Sequence, residues 1–355
     1  MPCPHCKQLM IFEWNKDRVV WDEDKPETAR YICPHCQGSI DDAQRLAMMD
    51  KGKWVDSNPN ARELGKLSYH LNSLYSPYIS IPEMARKFHD ATHSLTVADD
   101  LRNFYNSWLA LPYEEHCSKV YYADVQSCIN GMYHKGIVPD NTRLLVMGVD
   151  IGQNVSHWAV SAITYDGKIY VTDWGTLIDF KSDLPDKVGV ARLFDSLKYH
   201  NGKGEEVVPD ICLVDSGYAT EEVYAECMRA QVPGTIMPVK GGTSKAGAWG
   251  RSIIRTHPDA PFNLLLFSDF HLKRALYVDL IKQGGFVLPL EADNQILQGL
   301  SGQEMKKSAS GKCFFKERPN DHLGDAVKYS ILALWVDEAE RGAAQIGQTE
   351  ENLTQ

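Results

Sequence analysis

Three apolar runs in close succession limit this chain more than any other feature: RLLVMGVD at 143–150, SHWAVSAITYD at 156–166 and KIYVTDWG at 168–175. Each has strand length, the second and third are rich in β-branched and aromatic residues, and Asp166-Gly167 between those two is a hairpin signal, since glycine supplies the positive φ of a tight turn. They predict an antiparallel meander. Next come a helical stretch near 187–200, a strand ICLVD, a helix EEVYAECMRA, a strand TIMPV, a strand NLLLF, a helix DFHLKRALYVDLIK, a strand FVLPL and a long helix from about Asp321. A meander followed by alternating helices and strands predicts an α/β fold, a mixed sheet flanked by helices.

Upstream of the meander the pattern differs. Residues 1–40 carry CPHC twice with an aromatic, β-prone run between, and 41–140 read as a helical linker region. There DDAQRLAMMDKGKW, IPEMARKFHDATHSL and TVADDLRNFYNSWLALP place apolar residues at helical spacing, broken by Pro77, Pro82 and Pro112. The α/β region is expected over 141–340, and the polar 341–355 as a mobile tail. A chain of 355 residues with 43% hydrophobic residues is an ordinary globular protein of two or three domains. Its apolar runs are too short to cross a bilayer and no secretion signal opens it, so no membrane partner is expected. The net charge of -10 argues against a protein coated in nucleic acid, yet Met237 to Ser330 holds 13 Lys+Arg against 9 Asp+Glu, so one face is open to DNA.

Cys3, Cys6, Cys33 and Cys36 form two C-x2-C pairs separated by 26 residues. Four thiolates on two tight turns, stiffened by Pro4 and Pro34, suit a tetrahedral Zn²⁺ and predict a small structural zinc ribbon with His5 and His35 as bystanders. A zinc with four sulfur ligands has no open position for water, so this site stabilises and does not catalyse. Cys117, Cys128, Cys212, Cys227 and Cys313 read as small core residues.

Three acids stand where the elements would present them from a sheet: Asp150 ends the first strand, Asp215 ends ICLVD, and Asp325 lies in the first turns of the last helix. The plain alternatives are two turns and a helix-start charge. Asp325 fits its alternative least, because Tyr329 and Leu332 make its helix face apolar, where an unpartnered carboxylate is costly. Gly324, about 1 kcal/mol worse than Ala in a helix, signals a close approach beside it. Converging carboxylates suit Mg²⁺ or Mn²⁺, and two such ions can activate a water and stabilise the leaving oxygen of a phosphodiester.

The ordered runs VPDNTRLLVMGVDIGQNVSHWAVSAI, ICLVDSGYATEEVYAEC, KGG, FSDFHLKRALYVDLIKQGGFVLP and NDHLGDAVKYSILAL resemble the nuclease domain of lambda-type large terminase subunits of tailed bacteriophages. The CPHC pairs, GKWV and SYHLNSLYSPYISIPEMARKFHDA resemble the zinc-bearing and helical segments that precede it, so the likeness runs from Pro2 to about Glu338. The resemblance implies an RNase H-like fold and a metal-dependent endonuclease cutting double-stranded DNA during genome packaging in the cytoplasm of the infected bacterial host. It places the metal-binding acids on Asp150, Asp215 and Asp325. Asp321 and His322 are candidates for the metal shell, with a helix cap the simpler role for Asp321. Asp173, read as ending the third strand, is a more distant candidate, with a turn the simpler role. Lys240, Lys245, Arg251, Arg255, Lys273 and Arg274 become candidate DNA phosphate contacts. Portal protein, the small terminase subunit and an ATPase motor domain are implied partners. The family's G-x4-GK-[ST] loop is not found in this sequence, and KGGTSKAGAWG lacks its spacing, so no ATP hydrolysis is predicted. A C-terminal fragment, a separately encoded motor and a divergent remnant each fit that departure. Competing readings are a transposase- or resolvase-like nuclease and a catalytically silent packaging module that docks to portal or motor.

Overall fold

Two CPHC turns and the strands between them begin the structure, a computed structural model that describes residues 1–355 except 23–24, 57, 59, 61–63, 66–67, 94–96, 114–118, 185, 243–247, 255–261, 309–312, 317, 320 and 355. The chain divides into two units, Met1–Glu115 and His116–Gln355. In the first, β1 (Val19–Asp22), β2 (Lys25–Ile32) and β3 (Ser39–Ile40) form an antiparallel sheet. Helix α1 (Asp42–Met49) starts at a reciprocal cap: Gln44 N donates to Asp41 Oδ1 and Asp41 N to Gln44 Oε1. Helix α2 (Ile81–Thr92) is capped by Ser80, and Pro82 sits in its first turn. Pro82 therefore opens a helix where it was expected to break one, because first-turn N–H groups have no helical partner to lose. Helix α3 (Val97–Asn103) runs on into a π-helical stretch, Phe104–Trp108. Phe12, Tyr31, Cys33, Met84 and Phe104 share one buried cluster. Beside it the buried Arg45 donates to the carbonyls of Leu74, Ser76 and Ile79.

The second unit is built on an eight-stranded sheet. Its strands are β4 (Thr142–Asp150), β5 (Ser156–Thr164), β6 (Ile169–Leu177), β7 (Ile211–Asp215), β8 (Ile236–Gly241), β9 (Trp249–Ile254), β10 (Phe262–Phe267) and β11 (Phe286–Val287), in the order β9-β10-β8-β7-β4-β5-β6-β11. The meander pairs antiparallel as predicted, with Gly167 at φ 79° in the hairpin. Strands β7 and β8 then add parallel on the other side of β4, each after a helical crossover. A meander extended by parallel strands beside its first strand is the RNase H-like arrangement. Edge strand β9 pairs antiparallel with β10 and was not anticipated.

Helices cover both faces. Helix α4 (Val190–Ser196) and α5 (Thr220–Cys227) pack with Leu145, Met147, Val149, Cys212 and Val214. On the opposite face α6 (Asp269–Arg274), continued by the π-helical Ala275–Ile281, α7 (Asn294–Leu300) and the long α8 (His322–Thr354) pack with Val146 and Leu213. The backbone of α8 is helical to Thr354, through most of the span expected as a mobile tail. Among the described residues no helix is long and apolar enough to cross a membrane.

Candidate active site

Strand alternation decides which way the acids point. Val146 faces α8 while Leu145, Met147 and Val149 face α4 and α5, so Gly148 and Asp150 share the α8 side. The same count from Leu213 puts Asp215 on that side. Parallel pairing of Leu213 with Gly148 and Val214 with Val149 sets Asp215 and Asp150 at the adjacent ends of neighbouring strands. Asp325 joins them from α8, which lies so close to β4 that a Cβ on Gly148 would stand 2.0 Å from the Ala326 carbonyl oxygen. The close approach expected at Gly324 is also present: a Cβ there would stand 2.2 Å from the Tyr277 hydroxyl and 2.9 Å from the Gly299 carbonyl oxygen.

The charges at this meeting point are strongly coupled. His322 Nδ1 lies 2.8 Å from Asp150 Oδ2, and since an ionised carboxylate only accepts, the imidazole is the donor. The His322 ring stacks on His157, the cross-strand partner of Asp150, at 4.9 Å between centroids. Burial, then the neighbouring charges of Asp325 and Asp215, push Asp150 up to about 6 against the pull of His322. Burial also raises Asp215 and Asp325, the latter in spite of two nearby lysines. Lys328 donates to Asp325 Oδ1 at 2.8 Å and to Asp269 Oδ1 at 2.5 Å. Lys273 Nζ lies 3.2 Å from Asp321, 3.5 Å from Asp269 and 3.7 Å from Asp325. Both lysines are held above the ordinary lysine range because the acids outweigh their burial.

Five carboxylates thus gather beside two lysines, an anionic excess that divalent cations would offset. The donor set, hard oxygens from three elements, fits Mg²⁺ or Mn²⁺. The carboxylates are spread more widely than the cysteine tetrad, which among the described residues is the one group of three or more whose candidate ligand atoms all lie within 4.8 Å of each other.

Other sequence-based candidates fare differently. Asp173 does not end a strand: it lies inside β6, pairs with Lys135 at 3.1 Å and accepts from the Tyr199 hydroxyl at 3.1 Å. The Asp321 carboxylate is not a simple helix cap but is bound by Lys273 and by Gln303 Nε2 at 3.0 Å. Burial opposes its ionisation, yet these partners win and hold it below the usual carboxylate range. Lys273, expected as an exposed phosphate contact, is 7% exposed and belongs to the acid cluster. Lys240 follows Val239, the partner of Asp215, and so points to the other face of β8. Arg251 on β9 pairs with Glu340, and Arg274 lies 3.8 Å from Asp279. Lys245 and Arg255 lie outside the described residues. Of the four described, only Lys273 is at the acids. The residues missed were His157, Asp269 and Lys328. Asp269 carried the same signal as Asp150 and Asp215, an acid just after an apolar strand, and Lys328 was a lone cation one helical turn from Asp325.

In the first unit the cysteine spacing closes as expected. Cys3 and Cys36 Sγ are 3.9 Å apart, as are Cys6 and Cys33 Sγ. Zinc–sulfur bonds of about 2.3 Å in a tetrahedron give sulfur separations near 3.8 Å, so the tetrad fits Zn²⁺. The His5 and His35 Nε2 atoms lie 2.8 Å and 3.2 Å from the carbonyl oxygens of Ser39 and Leu9. Cys212 and Cys227 are core residues, Cys313 is buried and Cys128 half-buried, none of them in a disulfide, and Cys117 lies outside the described residues.

Carboxylates brought to the strand ends of an RNase H-like sheet, beside an acid-bearing helix, define the class as a nuclease-type α/β protein. Residues 66–285 match the sequence family described as terminase large subunit gpA, endonuclease domain, and since this is more than half of the chain, the protein belongs to that family of phage DNA-packaging enzymes. Residues 1–54 match the family described as phage terminase large subunit gpA, ATPase domain. No protein of curated function matches. Solved structures similar to the chain include the large terminase nuclease from thermophilic phage G20c with bound magnesium, at 14% identity over 61% of this chain and 98% of that one, with a TM-score of 0.34. The same nuclease with bound cobalt gives 14%, 61%, 98% and 0.33. The large terminase nuclease domain of Thermus phage P74-26 gives 14%, 58%, 91% and 0.32. Family membership rests on the sequence match alone.

Proposed function

We propose that this protein cuts double-stranded DNA by metal-assisted phosphodiester hydrolysis, with Asp150, Asp215 and Asp325 as the metal-binding residues. The observation that carries the reading is the buried, mutually repelling set of carboxylates on the α8 side of β4 and β7, whose affinities for protons are raised by burial and by one another. Two divalent ions, when bound, supply an activated water and stabilisation of the leaving oxygen. The chain's own part is to hold the acids on rigid elements: strand ends for Asp150 and Asp215, and a helix locked against the sheet for Asp325. His322 orients the Asp150 carboxylate through its Nδ1–H, and its ring is itself supported by His157. Lys328 holds Asp325 and Asp269, and Lys273 holds Asp321 and lies near both of them.

In this reading the four cysteines hold a structural Zn²⁺, and portal protein, small terminase subunit and an ATPase motor are the partners, in the cytoplasm of the infected host. Incubation of supercoiled plasmid with the protein in Mg²⁺ and then Mn²⁺ tests the activity, with EDTA and Asp150→Ala as controls. Metal-dependent nicking or linearisation that disappears in the variant is expected. Cleavage that persists in Asp150→Ala would sink the assignment of the acids. A well-folded protein inert in both metals, alone and with its motor, would favour a silent packaging module.

A further inference from the structure

One of the three acids is already engaged by cations of the protein itself. Asp325 Oδ1 receives Lys328 Nζ at 2.8 Å and has Lys273 Nζ at 3.7 Å. The Lys328 side chain is 5% exposed and lies over the rings of Phe267 and Tyr329, with its ammonium 5.5 and 5.4 Å from their centroids. An ammonium at such a depth is costly unless acids balance it, and here Asp325 and Asp269 do so. The other two acids keep different company: Asp150 receives an imidazole N–H, and Asp215 the backbone N–H of Gly217 at 3.2 Å. The cluster is therefore split into a half held by an imidazole N–H and a backbone N–H and a half held by lysine ammoniums.

We propose that Lys328 competes with a divalent ion for Asp325, so that one ion settles at Asp150 and Asp215 while the ion that needs Asp325 stays weakly bound until DNA arrives. The inference rests on the reading of these acids as metal ligands. A divalent ion at Asp325 Oδ1 would sit beside an ammonium in a poorly solvated place, and like charges there repel strongly. A DNA phosphate entering between them adds negative charge and offsets that repulsion. The enzyme would then be incompletely loaded without substrate, which limits cutting to moments when DNA is in place.

The test is Mn²⁺ binding to the full chain without DNA, with ions counted by electron paramagnetic resonance and affinities taken from calorimetry. The unaltered protein should show one tighter and one weaker ion at the carboxylates. Lys328→Met should tighten the weaker ion by roughly tenfold, and Lys273→Met, whose ammonium is farther from Asp325, should tighten it by less. If Lys328→Met does not fold, Lys273→Met decides by the same direction of change. Unchanged or weakened second-ion binding in the folded lysine variants, with Asp150→Asn still losing an ion, would overturn the competition while leaving the acids as ligands. Mn²⁺ binding indifferent to Asp150→Asn would overturn both.

Discussion

In the proposed function, Asp150 is a residue where function and stability oppose each other. Its carboxyl is pushed from an ordinary 3.8 up to about 6, so between these values the folded protein holds a proton that the unfolded chain has lost. Stability from this group therefore falls as pH rises from about 4 to about 6 and stays low above, by on the order of 2–3 kcal/mol. Asp150→Asn removes the ionisation and keeps the shape. In buffer without Mg²⁺ or Mn²⁺, the variant should melt higher than the unaltered protein at pH 7.5, with the difference shrinking towards pH 4, while plasmid cleavage is abolished. Equal melting at pH 7.5 would contradict a buried charge whose cost exceeds what His322 returns. Asp150 and Asp215 were legible in the sequence because an acid closing an apolar strand stands out against its run. Asp173 was misread because the strand continues beyond it to Leu177, and Asp321 because a cap and a buried ion pair look alike until Lys273 and Gln303 are brought near by the fold.

At the scale of elements, the contact between α8 and β4 sets where Asp325 stands. Gly148→Ala places a methyl group 2.0 Å from the Ala326 carbonyl oxygen, a clash with helix backbone that no side-chain rotation relieves. The helix must shift, at a cost of about 2 kcal/mol or more. Denaturant unfolding should register that loss, and cleavage should fall by roughly tenfold to a hundredfold as Asp325 is displaced. Gly250→Ala on edge strand β9, where a Cβ meets nothing within 4 Å, is the control and should change stability by less than about 0.5 kcal/mol. An equal effect at both positions would argue against the helix contact. The core strands and the hairpin were readable from alternation and from Asp166-Gly167, which are local signals. Strand β9 was not, because WGRSII takes its strand character from pairing with β10, and FVLPL gave only the two-residue β11 before Pro289.

For the whole molecule, the proposed function gives each unit its own dependence on ions. In the first, Cys3 and Cys33 are fully buried within the aromatic cluster, so stripping zinc with a thiol-reactive mercurial should release about one equivalent of Zn²⁺ and open Met1–Glu115 to protease. Four thiols that react freely without loss of structure would contradict a structural zinc. The net charge of -10 and the burial of Lys273 leave DNA binding dependent on a limited set of phosphate contacts. Each phosphate contact releases counterions, so cleavage by the isolated chain should fall as salt rises from about 50 to about 200 mM, and a salt-insensitive complex would contradict this. The central claim, that Asp150, Asp215 and Asp325 hold the catalytic ions, is tested most directly by anomalous diffraction from a crystal grown with Mn²⁺. The account predicts anomalous density bound by the side-chain oxygens of Asp150 and Asp215, with a weaker peak at Asp325. Manganese bound elsewhere on the chain, with these three carboxylates bare, would contradict it.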